Sequence, residues 1–137
     1  MNIVGQAIEN HKNGLNCAQA IVCAYCGRFG IDDKTAFRMA EGFGLGMGAK
    51  ETCGAVTAMA MVTGMKISDG NLSSPGTKKI SYSKAAEMVE TFKKKNGSII
   101  CSELQGIESG TPLRSCGGCI KDAVLIIQEK LLEEEVK

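Results

Sequence analysis

The sequence predicts an all-α fold, a compact bundle of about five to six helices around a central apolar helix at about residues 51–66. Two observations support this prediction. Apolar residues recur at helical spacing in several segments, and no run of β-branched residues is long enough to build a sheet. The length of 137 residues suits one domain spanning 1–137, because independent cores usually form at about 100 to 200 residues.

Short helices are predicted in the first part of the chain, each with a recognisable boundary. Gly14 ends the first, Asn16 caps the second, and Gly30 stops it. Asp32 and Asp33 place acidic groups ahead of the third. The predicted ranges are about 2–11, 17–29 and 36–43.

The later helices flank a loop at 68–76, whose Ser, Asn, Pro and Gly residues are typical of turns. The helix before this loop is apolar on almost all sides, as expected of a helix surrounded by others. The helix after it ends in lysines and Asn96-Gly97, and the last helix has an acidic, solvated end at 133–135. The predicted ranges are about 51–66, 78–95 and 118–135.

Composition excludes two classes of function. The 16 basic and 15 acidic residues give a net charge of +1, without the excess of Lys and Arg that a nucleic-acid binder carries. The nearly uncharged stretch 52–65 has about half the length of a membrane span, so no membrane insertion is expected. Residues 1–6 show no secretory signal, which predicts a cytoplasmic protein. The content of 7 Cys is then the unusual feature, because a reducing cytoplasm disfavours a static disulfide framework.

Four cysteines stand at predicted helix starts: Cys17, Cys53, Cys101 and Cys116. The free N–H groups and the positive dipole end of a helix can lower a thiol pKa from about 8.5 to between roughly 3.5 and 7.5. Because thiolates are both nucleophiles and metal ligands, the pattern indicates reactive or metal-binding thiols. The alternative is that each cysteine is a small buried hydrophobic residue.

The other cysteines differ in context. Cys23 and Cys26 share a face in the middle of a predicted helix, where nothing caps or charges them, which favours a packing role. Cys119 ends a Cys-Gly-Gly-Cys sequence that begins at Cys116, and this spacing suits a dithiol or half of a four-thiolate site. His11 lies among polar residues and is expected to be solvated, which argues against a Cys-His hydrolase.

Glycine occupies every second position from 42 to 48. A phosphate-binding loop would need a preceding strand and a following Lys-Ser or Lys-Thr pair, and the sequence has neither in register. We expect instead that the bare backbone allows another helix start, or a ligand on Cys53, to approach closely.

These segments resemble, in order and over essentially the whole chain, the C_GCAxxG_C_C family of redox-active proteins. The resemblance is carried by residues 14–20, 51–55, 96–104 and 116–123. It implies a set of shared cysteines that matches Cys17, Cys53, Cys101 and Cys116, and a Cys-Gly-Ala-x-x-Gly motif in which Ala58 replaces the last glycine. It also implies a redox or metal role and, from the family's transporter-adjacent genes, a functional link to a transporter.

We predict that Cys17, Cys53, Cys101 and Cys116 gather at one pole of the bundle. In a redox version, Cys53 attacks a disulfide or a small oxidant and is resolved by Cys17, Cys101 or Cys116, with Cys119 as a second resolver. Such a thiol-disulfide oxidoreductase needs no cofactor, and its redox partner is unidentified. In a metal-binding version, the same four thiolates hold zinc or an iron-sulfur cluster. In a third version the chain is a structural or interaction module. The apolar helical faces leave room for a homodimer.

Overall fold

The computed structural model describes residues 2–134, and over this range the predicted all-α bundle around a central helix is confirmed. Short 3₁₀ turns continue two of the helices, at Cys26–Phe29 and Glu41–Phe43, and a wider π-type turn at Ile127–Leu131 continues the last. Residue 135, the end of the predicted acidic segment, lies outside the described residues. The α-helices are α1 (Ile3–Lys12), α2 (Cys17–Tyr25), α3 (Asp33–Ala40), α4 (Gly54–Ile67), α5 (Lys78–Asn96), α6 (Cys101–Gln105) and α7 (Cys116–Ile126).

Helix boundaries follow local capping chemistry. The Asn16 side chain accepts the N–H of Gln19 while the Gln19 side chain accepts the N–H of Asn16, which is a complete capping box for α2. Asp32 caps α3 through its side chain, which accepts the N–H of Thr35, and Gly97 ends α5 in the left-handed conformation. These predicted boundaries are therefore confirmed, whereas α4 begins at Gly54, later than the predicted residue 51.

Helix α4 is the centre of the bundle, because it packs against α2, α5 and α7. Its buried side chains are small or flexible, so the neighbouring helices can approach from several sides. The largest buried side chains of the surrounding helices include Tyr25 and Ile21 of α2, Phe92 of α5 and Ile120 of α7. Within residues 2–134, no helix is both long and apolar enough to cross a membrane.

Two glycines permit the closest approaches to the start of α2. A Cβ on Gly54 would lie 3.0 Å from the carbonyl oxygen of Phe43 and 3.1 Å from the backbone nitrogen of Ala18. A Cβ on Gly44, within the glycine-rich segment, would lie 2.5 Å from the side-chain nitrogen of Asn16. The expectation that bare backbone admits a helix start is therefore confirmed for this segment. The first residues of α2 and α4 are held in direct contact as a result.

Substitution of Gly54 by Ala should destabilise the fold by about 1 to 3 kcal/mol, because the new methyl group overlaps backbone atoms that cannot move independently. Denaturant unfolding followed by circular dichroism measures the difference.

Gly64 provides the matched control in the same helix, since a Cβ there would meet nothing within 4 Å. Gly64→Ala should stabilise the protein by about 0.5 to 1 kcal/mol through helix propensity. Equal effects of the two substitutions would contradict the close contact at Gly54.

Candidate thiol site

Five cysteines line one pocket of about 180 Å³ at the pole where α2, α4, α6 and α7 begin. Cys17, Cys101 and Cys116 are the first residues of α2, α6 and α7, and Cys53 is the N-cap residue of α4. Cys119 reaches the same pocket from the first turn of α7. The structure thus brings together at one pocket the four cysteines singled out by the sequence and Cys119, the predicted second resolver. All of them are free thiols.

A short antiparallel bridge between Thr52 and Ile100 fixes Cys53 relative to Cys101. The N–H of Cys53 donates to the carbonyl oxygen of Ile99 at 2.7 Å, and the N–H of Cys101 donates to that of Glu51 at 2.5 Å. These bonds satisfy two N–H groups at the helix starts and align the two cysteines side by side. The sequence analysis did not identify this bridge, because a pairing of so few residues has no periodic signal.

The glycine-rich segment forms one wall of the pocket through Leu45 and Gly46. Leu45, Gly46 and Met47 all have φ between 52° and 60°, in the left-handed region. A Cβ on Gly46 would lie 2.5 Å from the backbone nitrogen of Glu51 and 2.9 Å from the Cβ of Cys101, so only glycine fits there. The alternating glycines therefore shape a pocket wall that lies against α6.

The Cys53 thiolate is stabilised by its surroundings. A hydrogen bond from the Cys119 thiol is the largest influence, and burial opposes it. The N–H groups of Ala55 and Val56 in the first turn of α4 add further hydrogen bonds. Together these groups lower the pKa of Cys53 from 9.0 to about 7. Cys53 is consequently the thiol of this pocket that is ready to act as a nucleophile at neutral pH.

Cys119 is the protonated partner of this thiolate. It is 2% exposed, and its pKa is raised, first because its proton is held in the hydrogen bond to Cys53 and then by burial. The negative charge of Cys53 raises the pKa further. The pKa values of the two thiols are thus shifted in opposite directions, and Cys53 ionises before Cys119.

The prediction that helix starts lower the thiol pKa is wrong for Cys17 and Cys101. Burial is the largest influence on Cys17 and raises its pKa, with further contributions from Cys116 and Cys53. Burial likewise raises the pKa of Cys101, against the opposing hydrogen bond that Gln105 Nε2 donates to its sulfur at 3.1 Å. At these positions the desolvation of a charged sulfur outweighs the helix dipole.

Arg114 closes another side of the pocket, and a buried carboxylate positions it. Its Nε and Nη2 donate to both oxygens of Asp122 at 3.0 and 3.2 Å, and Lys95 of α5 lies 3.2 Å from the same group. Burial alone would raise the pKa of Asp122, but these cations hold it below its ordinary value. The guanidinium also explains why residue 118 is a glycine, since a Cβ there would lie 2.5 Å from Arg114 Nε. Sequence reasoning missed Arg114, because only the folded chain reveals its partner.

Two further predictions concern residues outside the helix starts. Cys23 and Cys26 do not line the thiol pocket; Cys26 is buried in the core, and burial raises the pKa of Cys23 to about 11.

The expectation that the His11 side chain is solvated is wrong, because this residue is half-buried and lines the pocket. Its Nδ1 lies 3.0 Å from the carbonyl oxygen of Leu15, so the turn after α1 carries the ring towards the thiols.

The metal-binding alternative requires that four cysteines place their sulfurs around one zinc ion or iron-sulfur cluster. These cysteines are Cys17, Cys53, Cys101 and Cys116. Among residues 2–134, no group of three or more His, Cys, Asp or Glu side chains has an arrangement that could hold a metal ion. In this arrangement the sulfurs of Cys17, Cys53, Cys101 and Cys116 do not fit the common centre that a four-thiolate site requires.

The chain belongs to the family described as "Putative redox-active protein (C_GCAxxG_C_C)", which matches residues 15–130. This confirms the resemblance found in the sequence and assigns the chain to a class of redox-active proteins. The match includes all five cysteines of the pocket. No curated protein and no solved structure matches the chain.

Cys53 should be alkylated by iodoacetamide with a midpoint near pH 7, because the reactive thiolate is protonated as the pH falls below its pKa of about 7. Replacing Cys119 by Ala removes the largest stabilising hydrogen bond and should move the midpoint to higher pH. Mass spectrometry of the Cys53 peptide after timed alkylation gives the rate at each pH.

Cys23→Ala is the matched control, since Cys23 lies outside the pocket and the midpoint of Cys53 should not change. A midpoint near 9.0 in the wild-type protein, the ordinary thiol value, would contradict the stabilised thiolate.

Proposed function

We propose that the chain is a thiol-disulfide oxidoreductase in which Cys53 attacks a small disulfide and Cys119 resolves the intermediate. The observation that supports this proposal is the pocket that Cys53 and Cys119 line together with three further thiols, in which Cys119 is the main cause of the lowered pKa of Cys53. Nucleophile and resolving thiol must lie within reach of each other, and here they already do.

The chemistry balances without a cofactor. The Cys53 thiolate attacks one sulfur of a disulfide, the substrate S–S bond breaks, and one substrate thiolate leaves while a mixed disulfide forms. That thiolate takes the Cys119 proton, and the Cys119 thiolate then attacks Cys53 Sγ and releases the second substrate thiolate. Solvent supplies the proton for this second thiol. Two electrons pass from the protein to the substrate, and a Cys53–Cys119 disulfide remains.

Cys119 is favoured over Cys101 as the resolving thiol by its contacts. Cys119 has the largest influence on the pKa of Cys53, whereas the Cys101 sulfur already accepts a hydrogen bond from Gln105. Cys101 is aligned with Cys53 by the backbone bridge, so it is the second candidate. The reducing cytoplasm predicted by the sequence would return the pair to the dithiol state.

The pocket favours a small and largely apolar substrate. Its volume of about 180 Å³ is below the usual range for drug-sized ligands, roughly 300 to 1,000 Å³. Leu45 and Leu104 contribute apolar walls, and no carboxylate is among the lining residues within the described chain. Arg114 is the cationic side chain of the lining, and the Asp122 carboxylate pairs with its guanidinium. A small neutral disulfide therefore fits this lining best.

The test is reduction of hydroxyethyl disulfide by the fully reduced protein. Cys53→Ser should slow thiol consumption by about 100-fold or more, because a neutral hydroxyl does not attack disulfides at neutral pH. Cys119→Ser should leave the first attack possible and accumulate a Cys53 mixed disulfide, which intact-protein mass spectrometry detects as added mass.

Cys23→Ser is the control for the chemical change, and it should react as the wild-type protein does. The proposal fails if Cys53→Ser reacts at the wild-type rate. It also fails if anaerobically purified protein contains stoichiometric zinc or iron that is released on acidification, which would support the metal-binding alternative.

A further inference from the structure

The pocket contains two pairs of cysteines that differ in burial. Cys53 and Cys119, the inner pair, are 6% and 2% exposed. Cys17 and Cys116, the outer pair, are both half-buried and are the first residues of α2 and α7. The outer pair is therefore the more exposed of the two.

The two members of the outer pair lie at the starts of neighbouring helices. Helices α2 and α7 pack against each other, and their first residues Cys17 and Cys116 line the same pocket. Of the other thiols, Cys116 has the largest influence on the pKa of Cys17. These two cysteines are therefore the candidates for a second disulfide at this pole.

The two pairs also lie next to each other. All of their members line the same pocket, and the charges of Cys53 and Cys17 act on Cys119. A Cβ on Gly54 would lie 3.4 Å from the Cβ of Cys17, so the residue after Cys53 already touches the outer pair. Bare backbone at Gly54 thus allows close approach between a thiol of one pair and a sulfur of the other.

We propose that the outer pair is a second redox-active dithiol that reduces the inner disulfide, so that electrons enter at the half-buried thiols and leave at Cys53. This inference rests on the proposed function, because it requires the Cys53–Cys119 disulfide as its electron acceptor. With both pairs reduced, one chain delivers electrons for two rounds of disulfide reduction.

The exchange conserves atoms and electrons. The Cys17 thiol gives up its proton as its sulfur attacks Cys53 Sγ in the inner disulfide, the bond to Cys119 breaks, and Cys119 takes up that proton. The Cys116 thiol then loses its proton to solvent and its thiolate attacks Cys17 Sγ, which releases the Cys53 thiolate. Two electrons pass from the outer to the inner pair, and a Cys17–Cys116 disulfide remains. An external dithiol then reduces it by the same two exchange steps.

The experiment titrates the reduced protein with hydroxyethyl disulfide, blocks the remaining thiols with iodoacetamide and maps disulfides by mass spectrometry. In the wild-type protein the Cys53–Cys119 and Cys17–Cys116 disulfides should both form. In Cys116→Ser only the inner disulfide should form, since the outer pair lacks one sulfur. Re-reduction of the inner disulfide by thioredoxin, a dithiol protein too large to enter the pocket, should be about ten-fold or more slower in Cys17→Ser.

Cys23→Ser, another half-buried cysteine outside the pocket, should behave as the wild-type protein in both measurements. One outcome would overturn this inference and leave the proposed function standing. In it, the inner disulfide forms, but Cys17 and Cys116 stay free thiols at every ratio of oxidant and are therefore recovered in the alkylated form. A Cys17–Cys101 disulfide, or an unchanged rate of re-reduction in Cys17→Ser, would overturn it as well. If Cys53 and Cys119 also remain free thiols, the proposed function itself is wrong.

Discussion

The arrangement of the thiol pocket depends on the backbone bridge between Thr52 and Ile100. Residues far apart in the chain are joined here by the bonds from Cys53 to Ile99 and from Cys101 to Glu51. The bridge fixes the direction in which α4 and α6 begin, and it brings their first turns to the thiols of α2 and α7. The same bridge lies directly after the glycine-rich segment, whose Gly46 fits against Glu51 and Cys101.

The glycine-rich segment forms a wall of the thiol pocket with a strained backbone that neighbouring residues hold in place. Left-handed backbone costs a residue such as Leu45 or Met47 about 1 to 2 kcal/mol. The contacts of Gly46 with Glu51 and with Cys101 keep the segment in place. Leu45 and Met47 also remain exposed, although exposure of large apolar side chains is unfavourable. Backbone strain at a functional pocket of this kind is maintained by the surrounding fold.

Much of the fold could be predicted from the sequence, because helix caps and apolar periodicity are local signals. Asn16, Asp32 and Gly97 mark helix boundaries through bonds to near neighbours. The positions of cysteines at helix starts were likewise visible. The balance between burial and the helix dipole at Cys17 was not, because burial depends on residues distant in sequence. The role of Cys119 as hydrogen-bond partner of Cys53 was hidden for the same reason.

The mutual repulsion of the pocket's sulfurs has a consequence for its ionisation. A charge on Cys53 raises the pKa of Cys17, of Cys101 and of Cys119. The cluster therefore behaves as a polyprotic acid whose first proton leaves easily and whose later protons are strongly held. When Cys53 is ionised, the thiols of Cys17, Cys101 and Cys119 are therefore held in their protonated form. Protonated thiols next to a thiolate can supply protons to departing sulfur, so the neighbours of the nucleophile double as its acid.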